Sequence, residues 1–370
     1  MKRLLLVTAA LACALGGPVH AASVTDCPLR DAPFSADSPL VDILLNPTAR
    51  ALLEAENHVD FSKGPPRFTG TTPPTFAAIL TLRTAERLTH LKPESLGPLD
   101  AKLRAIPVTA ADRTARCARY DNDLPRFDLP AGKPRILLFE KINGFRDDPS
   151  VNAARAALVA MAERKGWALA VTDKAGAFNS RTLRQFDAVI WNNISGDALT
   201  LSQRRAFQAY MRKGGGFVGL HGSAGDFAYF WDWYADTLIG ARFIGHPGSP
   251  QFQDARVVVE AKGHPITASL PADWTMKDEW YSFATSPRLS GANVIATLDE
   301  STYQPDDPKE PGLRMGDHPI AWTRCVGRGR MFYSAIGHMP ETYSQPQNVA
   351  LMEGGIDWAL KERRACPTGK

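Results

Sequence analysis

The sequence lacks the short motifs that would define its chemistry directly. Its 370 residues include only 5 cysteines, and no two of them have Cys-x-x-Cys spacing, which excludes a thioredoxin-like motif and a zinc ribbon. No His-Glu-x-x-His segment and no internal repeat occur. There is no basic stripe with interleaved aromatic residues, and the formal net charge is only +4. Nothing therefore points to nucleic acid as a partner.

A long apolar run occurs at the N-terminus, in MKRLLLVTAALACALGGPVHA. Lys2 and Arg3 precede an apolar segment from Leu4 to Leu15, and Val19-His20-Ala21 resembles a cleavage site. The apolar segment is too short to span a bilayer. We therefore expect residues 1–21 to be a signal peptide and the mature protein to be periplasmic or secreted, without a membrane span.

Export gives the remaining cysteines a structural interpretation. Cys13 lies in the leader, where the residues before it argue against a lipidated cysteine. The other four are Cys27, Cys117, Cys325 and Cys366, an even number that suits an oxidising compartment. Three pairings are open and the sequence does not choose among them. Pairing the first with the second and the third with the fourth is preferred, because each bridge then stays within one region.

The mature chain divides at the proline-rich segment LPRFDLPAGKP, residues 124–134. Residues 22–130 are predicted to be a helical accessory region. Asn46 as N-cap and Pro47 at the first helical position predict a helix over NPTARALLEAE. TPPTFAAILTLRTAERL and TAADRTARCAR predict two more helices, and SKGPPRFTGTTPP predicts a loop.

Residues 131–370 alternate between apolar runs and helical patterns. RILLFEKI, WALAVTD, AVIWNN and GFVGL predict strands. VNAARAALVAMAERKG predicts a helix that ends at Gly166, and LSQRRAFQAYMRKGG one that begins with a Thr200–Gln203 capping box. This alternation predicts an α/β fold, a mostly parallel sheet with helices on both faces. HPIAWTRCVGRGRMFYSAIGH predicts an antiparallel strand pair, and NVALMEGGIDWALKE a final helix.

Polar residues follow several of these strands. In open α/β sheets, ligands bind beyond the carboxyl ends of the strands, so these residues are expected to share one crevice. They are Asn143, Phe145, Arg146, Asp147 and Asp148 after the first strand, Asn192, Asn193 and Asp197 after the third, His221, Ser223 and Asp226 after the fourth, and His338 and Glu341 after the last.

Six segments occur in order between residues 135 and 362: GGGFVGLHGS, FIGHP, DEWYSF, VIATLDES, HPIAW and GRMFYSAIGH. Together they resemble the ThuA-like (trehalose-utilisation) family, whose flavodoxin-like fold is similar to that of class I glutamine amidotransferases. The resemblance implies sugar metabolism, commonly alongside oxidoreductases that handle keto-sugars. Family members often carry Phe-Arg-His where this chain has Phe145-Arg146-Asp147. The N-terminal region lies outside the resemblance.

The corner GGFVGLHGSAGDF has His221 at its apex. In the amidotransferases this strand-to-helix corner holds a nucleophilic cysteine. Imidazole is instead suited to proton transfer or metal binding near neutral pH, and Ser223, two residues further on, is a poor substitute for the nucleophile. Glutaminase chemistry is therefore not expected, and a different reaction is expected on a shared fold.

Three histidines fall in the family-like segments near glycines: His221, His246 and His338. We expect at least two of them to line the site. These three are also the predicted ligands of a divalent metal such as zinc, with Glu279 as a further oxygen donor. No other cofactor is indicated. His264 and His318 each precede a proline and are predicted to be turn residues.

Glu279 is the carboxylate predicted to take part in proton transfer, and Asp278 is a weaker candidate. Trp280 and Tyr281 follow it, and an aromatic environment predicts a raised carboxyl pKa. The predicted catalytic residues are His221, Glu279 and His338.

Substrate-binding residues are predicted near the same edge of the sheet. Arg146 suits sugar hydroxyls or an anion, and a sugar ring stacks on aromatic side chains such as those of FAYFWDWYADTLIG. Core packing is the alternative role for Tyr229, Trp231 and Trp233. The predicted substrate-binding residues are Arg146, Asp147, Asn193, Asp226, Trp231, Tyr281 and Glu341.

These features predict an exported carbohydrate-active enzyme that acts on a glycoside or keto-sugar by acid/base chemistry, with or without a metal. Its expected partner is a small-molecule carbohydrate, and its expected functional neighbours are sugar oxidoreductases. Hydrolysis by two carboxylates has less support, because no convincing second carboxylate is present. A non-catalytic sugar-binding protein is the alternative, and a crevice sealed by the helical region would favour a structural role.

Overall fold

The computed structural model describes residues 23–58, 60–85, 93–130, 134–306, 312–360 and 366. The predicted signal peptide lies outside these ranges, as do residues 86–88 of the second predicted helix, residues 131–133 of the linker and residues 361–362. Within the described ranges, no helix is both long and apolar enough to cross a membrane.

The N-terminal region consists of short helices around its own apolar core. The helices are α1 (Leu40–Leu45), α2 (Pro47–Asn57), α3 (Pro66–Thr69), α4 (Pro93–Arg104) and α5 (Ala110–Cys117). The predicted cap of α2 is confirmed, because the Asn46 side chain accepts a hydrogen bond from the Ala49 amide at 2.8 Å. A disulfide between Cys27 and Cys117 ties the start of this region to the end of α5.

The second predicted helix is wrong over the residues that the structure describes. Only a 3₁₀ turn forms there, at Phe76–Ala78. The Leu80 carbonyl accepts a hydrogen bond from the Leu40 amide, and the Leu82 amide donates to Ala36. These backbone groups therefore pair with the preceding segment and not within a helix. The predicted loop SKGPPRFTGTTPP contains the short helix α3.

The α/β region is built on a large curled sheet. Its strands, with one small separate pair, are β1 (Arg135–Phe139), β2 (Ala168–Thr172), β3 (Ala188–Asn192), β4 (Gly216–Leu220), β5 (Phe243–Gly245), β6 (Phe252–Val259), β7 (Asp273–Glu279), β8 (Ser282–Phe283), β9 (Asn293–Asp299), β10 (Pro319–Val326) and β11 (Gly329–Ser334). The order is β2-β1-β3-β4-β11-β10-β9-β6-β7, and β5 pairs with β8.

The pairings from β2 to β11 are parallel and those from β11 to β7 are antiparallel, so that only β10 and β6 run against the other strands. This confirms the predicted mostly parallel α/β fold and the antiparallel pair formed by β10 and β11. The strands of the parallel half are almost wholly buried, as their continuous apolar runs predict.

Helices cover the parallel half of the sheet. They are α6 (Asp148–Lys165), α7 (Ser180–Leu183), α8 (Leu201–Arg212) and α9 (Pro346–Leu360). The chain moves in opposite directions across the sheet from β1 to β2 and from β3 to β4, so right-handed crossovers place α6 and α8 on opposite faces. Gly166 ends α6 and the Thr200–Gln203 box caps α8, as predicted. Cys325 of β10 forms a disulfide with Cys366, beyond α9.

The sheet curls strongly enough to bring distant strands together. β7 lies five positions from β4 in the strand order, about 24 Å in a flat sheet at ~4.8 Å per strand. Yet the Glu279 Oε2 atom at the end of β7 lies only 3.6 Å from Nε2 of His221, which follows β4. Irregular pairing of β9 with β10 around Ala321 gives the sheet a place to bend. The carboxyl ends of β3, β4, β7 and β11 therefore meet.

Candidate functional site

A cavity of about 370 Å³ opens where these strand ends meet. Its polar lining includes His246, Gln251, Glu279, Tyr281 and His338. Its apolar lining includes Phe68, Phe76, Phe145, Phe227, Phe243 and Phe252. His221 does not line the cavity and lies directly behind the polar group, 4% exposed. The structure thus brings the three predicted catalytic residues together, with His246 and Tyr281 beside them.

Glu279 is the centre of this polar group. Its Oε2 atom accepts a hydrogen bond from Nδ1 of His338 at 2.9 Å and lies 3.6 Å from Nε2 of His221. Its other oxygen, Oε1, lies 3.2 Å from Nε2 of His246 and accepts a hydrogen bond from the Gln251 amide. Three imidazoles therefore surround one carboxylate, which is only 1% exposed.

The pKa of Glu279 is well below its usual value, and the prediction of a raised pKa is wrong. Burial alone would raise it, but interactions with His221 and His338 and the charge of His246 outweigh the burial. The aromatic neighbours on which the prediction was based are present, but imidazoles occupy the oxygens of the carboxylate. The same contact raises the pKa of His338. Burial alone would lower that pKa, but the Glu279 carboxylate outweighs the burial.

The orientation of the His221 ring is fixed. It follows β4 with a φ of +36°, which is unusual for a residue other than glycine and is typical of functional corners. Its Nδ1 atom lies 2.6 Å from the Ala335 carbonyl, so Nδ1 must carry the hydrogen. Its ring stacks on Tyr281 at 4.2 Å. The Nε2 atom faces Glu279 Oε2 at 3.6 Å and has no hydrogen-bond partner among the described residues.

His338 reaches the cavity because of the glycine before it. Gly337 has a φ of +142°, and a Cβ there would collide with the Tyr343 hydroxyl. Its amide and that of the residue after His338 both donate to the Asp278 carboxylate, which is fully buried. Burial raises the pKa of Asp278, although His221 and these amides oppose the effect. The Ile-Gly-His-Met segment is therefore fixed from behind by the residue next to Glu279.

Some predicted substrate-binding residues have structural partners outside the cavity. Asp147 caps α6 by accepting a hydrogen bond from the Ser150 amide at 3.0 Å. Arg146 pairs with Asp148 at 2.6 Å and lines a neighbouring cavity of about 750 Å³. Glu341 is exposed in the 3₁₀ turn Pro340–Ser344.

Other predicted substrate-binding residues are buried behind the cavity wall. Asn193 donates to the Tyr343 hydroxyl and accepts a hydrogen bond from the Gly222 amide, which supports the His221 corner. Asp226 accepts hydrogen bonds from Ser195 and Gly196 and is 7% exposed.

The three rings considered for a stacking platform, Tyr229, Trp231 and Trp233, do not line this cavity. Trp231 stacks on Tyr234 at 5.8 Å, contacts Trp233, and lies under the Arg204 guanidinium. From the segment FAYFWDWYADTLIG, the cavity lining includes Phe227. Phe76 of the N-terminal region also lies in the wall, with its ring centroid 5.0 Å from that of Phe68 and 4.9 Å from that of Phe145. Phe68 falls in the predicted loop and Phe76 in the second predicted helix, and neither was predicted to line the site.

The two histidines expected in turns have different environments. His264 caps the 3₁₀ turn Pro265–Thr267, as predicted. His318 is 1% exposed, and its Nδ1 and Nε2 atoms contact the Glu300 carboxylate and the Tyr281 carbonyl at 2.8 and 2.9 Å. It therefore supports the backbone beside Tyr281 and is not simply a turn residue.

The residues able to hold a metal differ from the predicted set by one member. One ligand atom from each of His221, Glu279 and His338 lies within 4.8 Å of the other two. His246 contacts the opposite oxygen of the carboxylate. The geometry thus substitutes Glu279 for His246 in the predicted set of three histidines.

Comparison with protein families agrees with this architecture. The family model described as trehalose utilisation (ThuA) matches residues 135–359, more than half of the chain. The chain belongs to the ThuA family. The match covers the curled sheet and all of the imidazoles around Glu279, and the N-terminal region that supplies Phe68 and Phe76 lies outside it.

A solved structure of a ThuA-like protein has a similar fold, and a second one shows a weaker similarity. One from Bacteroides uniformis is 26% identical, with a TM-score of 0.53, and the alignment covers 64% of this chain and 95% of that chain. Another from Parabacteroides merdae is 17% identical, with a TM-score of 0.47, covering 62% and 90%. A comparison with curated proteins gave no match.

Proposed function

We propose that the protein is an exported carbohydrate-active enzyme that acts on a glycoside or keto-sugar by proton transfer at the cluster around Glu279. The observation that carries the proposal is the contact between Glu279 and His338 at 2.9 Å on the floor of a cavity with aromatic walls. Membership of a trehalose-utilisation family supports a sugar substrate. The two disulfides support an oxidising compartment.

The volume and the lining of the cavity suit a sugar. Its volume of about 370 Å³ is within the range of small-molecule sites. Apolar C–H faces of a pyranose ring would pack on the phenylalanines, while hydroxyl or carbonyl oxygens would face the polar floor. His221 is too deeply buried to touch such a substrate directly, so it acts through Glu279 or through a bound metal.

The chemistry that best suits these groups is elimination from a 3-keto-glycoside. The ketone acidifies the hydrogen on C2, and an imidazole facing the cavity, His338 or His246, accepts that proton. The electron pair of the C2–H bond forms the C1–C2 double bond as the C1–O bond breaks. The aglycone leaves as its alcohol after taking up one proton. Glu279 stabilises the imidazolium and fixes its orientation.

The test is an assay of glycosides and their 3-keto forms, with aglycone release followed by mass spectrometry. We expect turnover of a 3-keto-glycoside by the wild type and a loss of at least about 100-fold in Glu279→Gln and His338→Gln. Glu163→Gln, an exposed glutamate on α6, is the matched control. Unchanged turnover in the two cavity variants would remove these residues from catalysis. Saturable binding without conversion would favour a sugar-binding protein.

A further inference from the structure

We infer that His221, His338 and Glu279 form a binding site for one divalent cation of the zinc class, with an open position toward the cavity. Two nitrogen donors and one carboxylate oxygen are the ligand set of many catalytic zinc sites, which keep a fourth position for water or substrate. The inference deepens the proposed function, on which its catalytic part rests. Cation binding itself is measured without any sugar.

The first observation is that one ring nitrogen of His221 lacks a hydrogen bond. The residue is 4% exposed, and its Nε2 atom has no hydrogen-bond partner in the described part of the chain. An unsatisfied buried polar atom is costly, so its retention calls for a partner. The Nδ1 hydrogen is donated to the Ala335 carbonyl, which leaves Nε2 as the ring nitrogen available to a cation. In metal-binding histidines, the ring nitrogen that does not bind the metal characteristically donates its N–H to an acceptor in this way.

The second observation is the spacing of the ligand atoms. In a tetrahedral zinc site with bonds of about 2.0–2.1 Å, neighbouring ligand atoms lie roughly 3.3 Å apart. Glu279 Oε2 lies 2.9 Å from His338 Nδ1 and 3.6 Å from His221 Nε2. One ligand atom from each of the three residues lies within 4.8 Å of the other two. Small side-chain adjustments therefore suffice to accommodate the cation.

The third observation is the charge balance at Glu279. This carboxylate is 1% exposed, and its ion-pair partners within the described residues are all histidines. A buried carboxylate needs a compensating positive charge, which a divalent cation supplies while the imidazoles remain neutral. Gln251 and His246 hold the Oε1 atom, which leaves Oε2 directed toward the proposed ligands.

The same geometry assigns a different role to His246. Its Nδ1 atom contacts the Pro247 carbonyl at 3.1 Å, and its side chain is 27% exposed at the cavity. With His338 engaged as a ligand, His246 is the other imidazole at the cavity, and it can accept a proton from substrate only once its Nε2 atom leaves Glu279 Oε1. A cation at the open position would polarise a sugar carbonyl as a Lewis acid.

The experiment is a zinc titration of the full mature chain after removal of metals with a chelator, followed by calorimetry and elemental analysis. We expect one equivalent of zinc per chain. His221→Ala and Glu279→Gln should weaken binding by more than the roughly 10–100-fold that loss of an outer-shell partner costs. His338→Gln, at the cavity surface, provides a third variant if burial prevents the first two from folding. Near-ultraviolet circular dichroism checks that each variant is folded.

Two further variants sharpen the assignment. His58→Asn changes an exposed histidine in a left-handed conformation that asparagine tolerates, and it should bind zinc like the wild type. His246→Ala removes an outer partner of Glu279, so it should still bind one equivalent, with an affinity lowered by no more than about 10–100-fold. No zinc on the wild type, or undiminished binding by the folded ligand variants, would overturn the inference. Zinc binding without turnover of any sugar would support the cation site and contradict the proposed function. Turnover by zinc-free protein would support the proposed function and contradict a catalytic role for the cation.

Discussion

The Asp278 carboxylate fixes His338 by accepting hydrogen bonds from the backbone amides on both sides of it. Asp278 Oδ2 lies 2.6 Å from the Gly337 amide, and Oδ1 lies 2.9 Å from the Met339 amide. Asp278 is the penultimate residue of β7, whereas His338 follows β11, so the contact joins two strands that are separated in the sheet. The adjacent residue Glu279 then meets the imidazole that Asp278 has positioned.

Asp278→Asn should therefore impair catalysis because His338 is no longer held in position. Asparagine has one oxygen, which can accept a hydrogen bond from one of the two backbone amides. Its NH₂ group then faces the N–H of the other amide, and this buried mismatch costs about 1–3 kcal/mol. On the substrate identified by the assay above, we expect kcat to fall about 10–100-fold, because each ~1.4 kcal/mol is tenfold in rate. KM should change little, since Asp278 does not line the cavity.

Asp112→Asn is the control for a purely structural effect. Asp112 is also a buried carboxylate, and it caps α5 through Thr109 at a distance from the site. This variant should lower the melting temperature without changing kcat below the transition. Equal kcat losses in the two variants would show that Asp278 acts only through stability.

Phe76→Ala tests the contribution of the N-terminal region to the cavity. The Phe76 ring lies between those of Phe68 and Phe145. Loss of one stacking surface, worth ~0.5–1.5 kcal/mol, should raise KM about 3–10-fold and leave kcat nearly unchanged. Phe127→Ala is the matched control, because Phe127 packs on Phe186 outside the cavity. An unchanged KM in Phe76→Ala would show that substrate does not reach this wall.

Asp226 should make stability dependent on pH. Burial, with a smaller contribution from the Asp197 charge, raises its pKa to about 7, although hydrogen bonds from Ser195 and Gly196 oppose the shift. Because the folded state binds the proton more tightly than the unfolded state, the stabilisation is fully present below about pH 4. It is lost as the pH rises to about 7, at roughly 1.4 kcal/mol per pH unit.

Asp226→Asn should remove this dependence, because asparagine stays neutral. The other titratable groups that face Asp226 are Tyr229, Tyr234 and Asp197. The nearby Arg204 is paired with Asp197, so within the described chain no cation neutralises Asp226 directly. Unfolding by urea at pH 5 and pH 8 should show the variant gaining roughly 3 kcal/mol relative to the wild type at the higher pH. An equal difference at both pH values would contradict the raised pKa.

The two disulfides should stabilise the two regions separately. They join residues separated by 90 and 41 positions, and closing loops of this size typically contributes about 2–4 kcal/mol. The double variants Cys27→Ala/Cys117→Ala and Cys325→Ala/Cys366→Ala should each show a lower melting temperature. Adding a reductant should lower that of the wild type below either variant. A melting temperature unaffected by both treatments would contradict a stabilising role.

Much of the parallel half of the fold was predictable, because its signals are local. The strands β1 to β4 are continuous apolar runs, and α6 and α8 have a terminal glycine and a capping box. β6 and β7 were not predicted. Each alternates between buried and exposed residues and carries charges within the run, as in DWTMKDE. Helix α4 was missed because Gly97 and Pro98 lie inside it.

The residues of the site were predictable from the sequence, but the contacts among them were not. Family-like segments identified His221, Glu279 and His338, but no local pattern shows that the sheet curls until β7 meets β4. The roles of Asp278 and Gln251 depend on that curl. For the same reason the pKa of Glu279 was predicted in the wrong direction from its neighbours along the chain.

The most direct test of the central claim, that the cluster around Glu279 moves a proton on a sugar, is release of deuterium from a 3-keto-glycoside labelled at C2. Deuterium appearing in water is followed by nuclear magnetic resonance for the wild type, Glu279→Gln and the control Glu163→Gln. We expect release by the wild type and the control in step with aglycone formation, and a fall of at least about 100-fold in Glu279→Gln. Aglycone formation with the label retained, or equal release by all three proteins, would contradict the account.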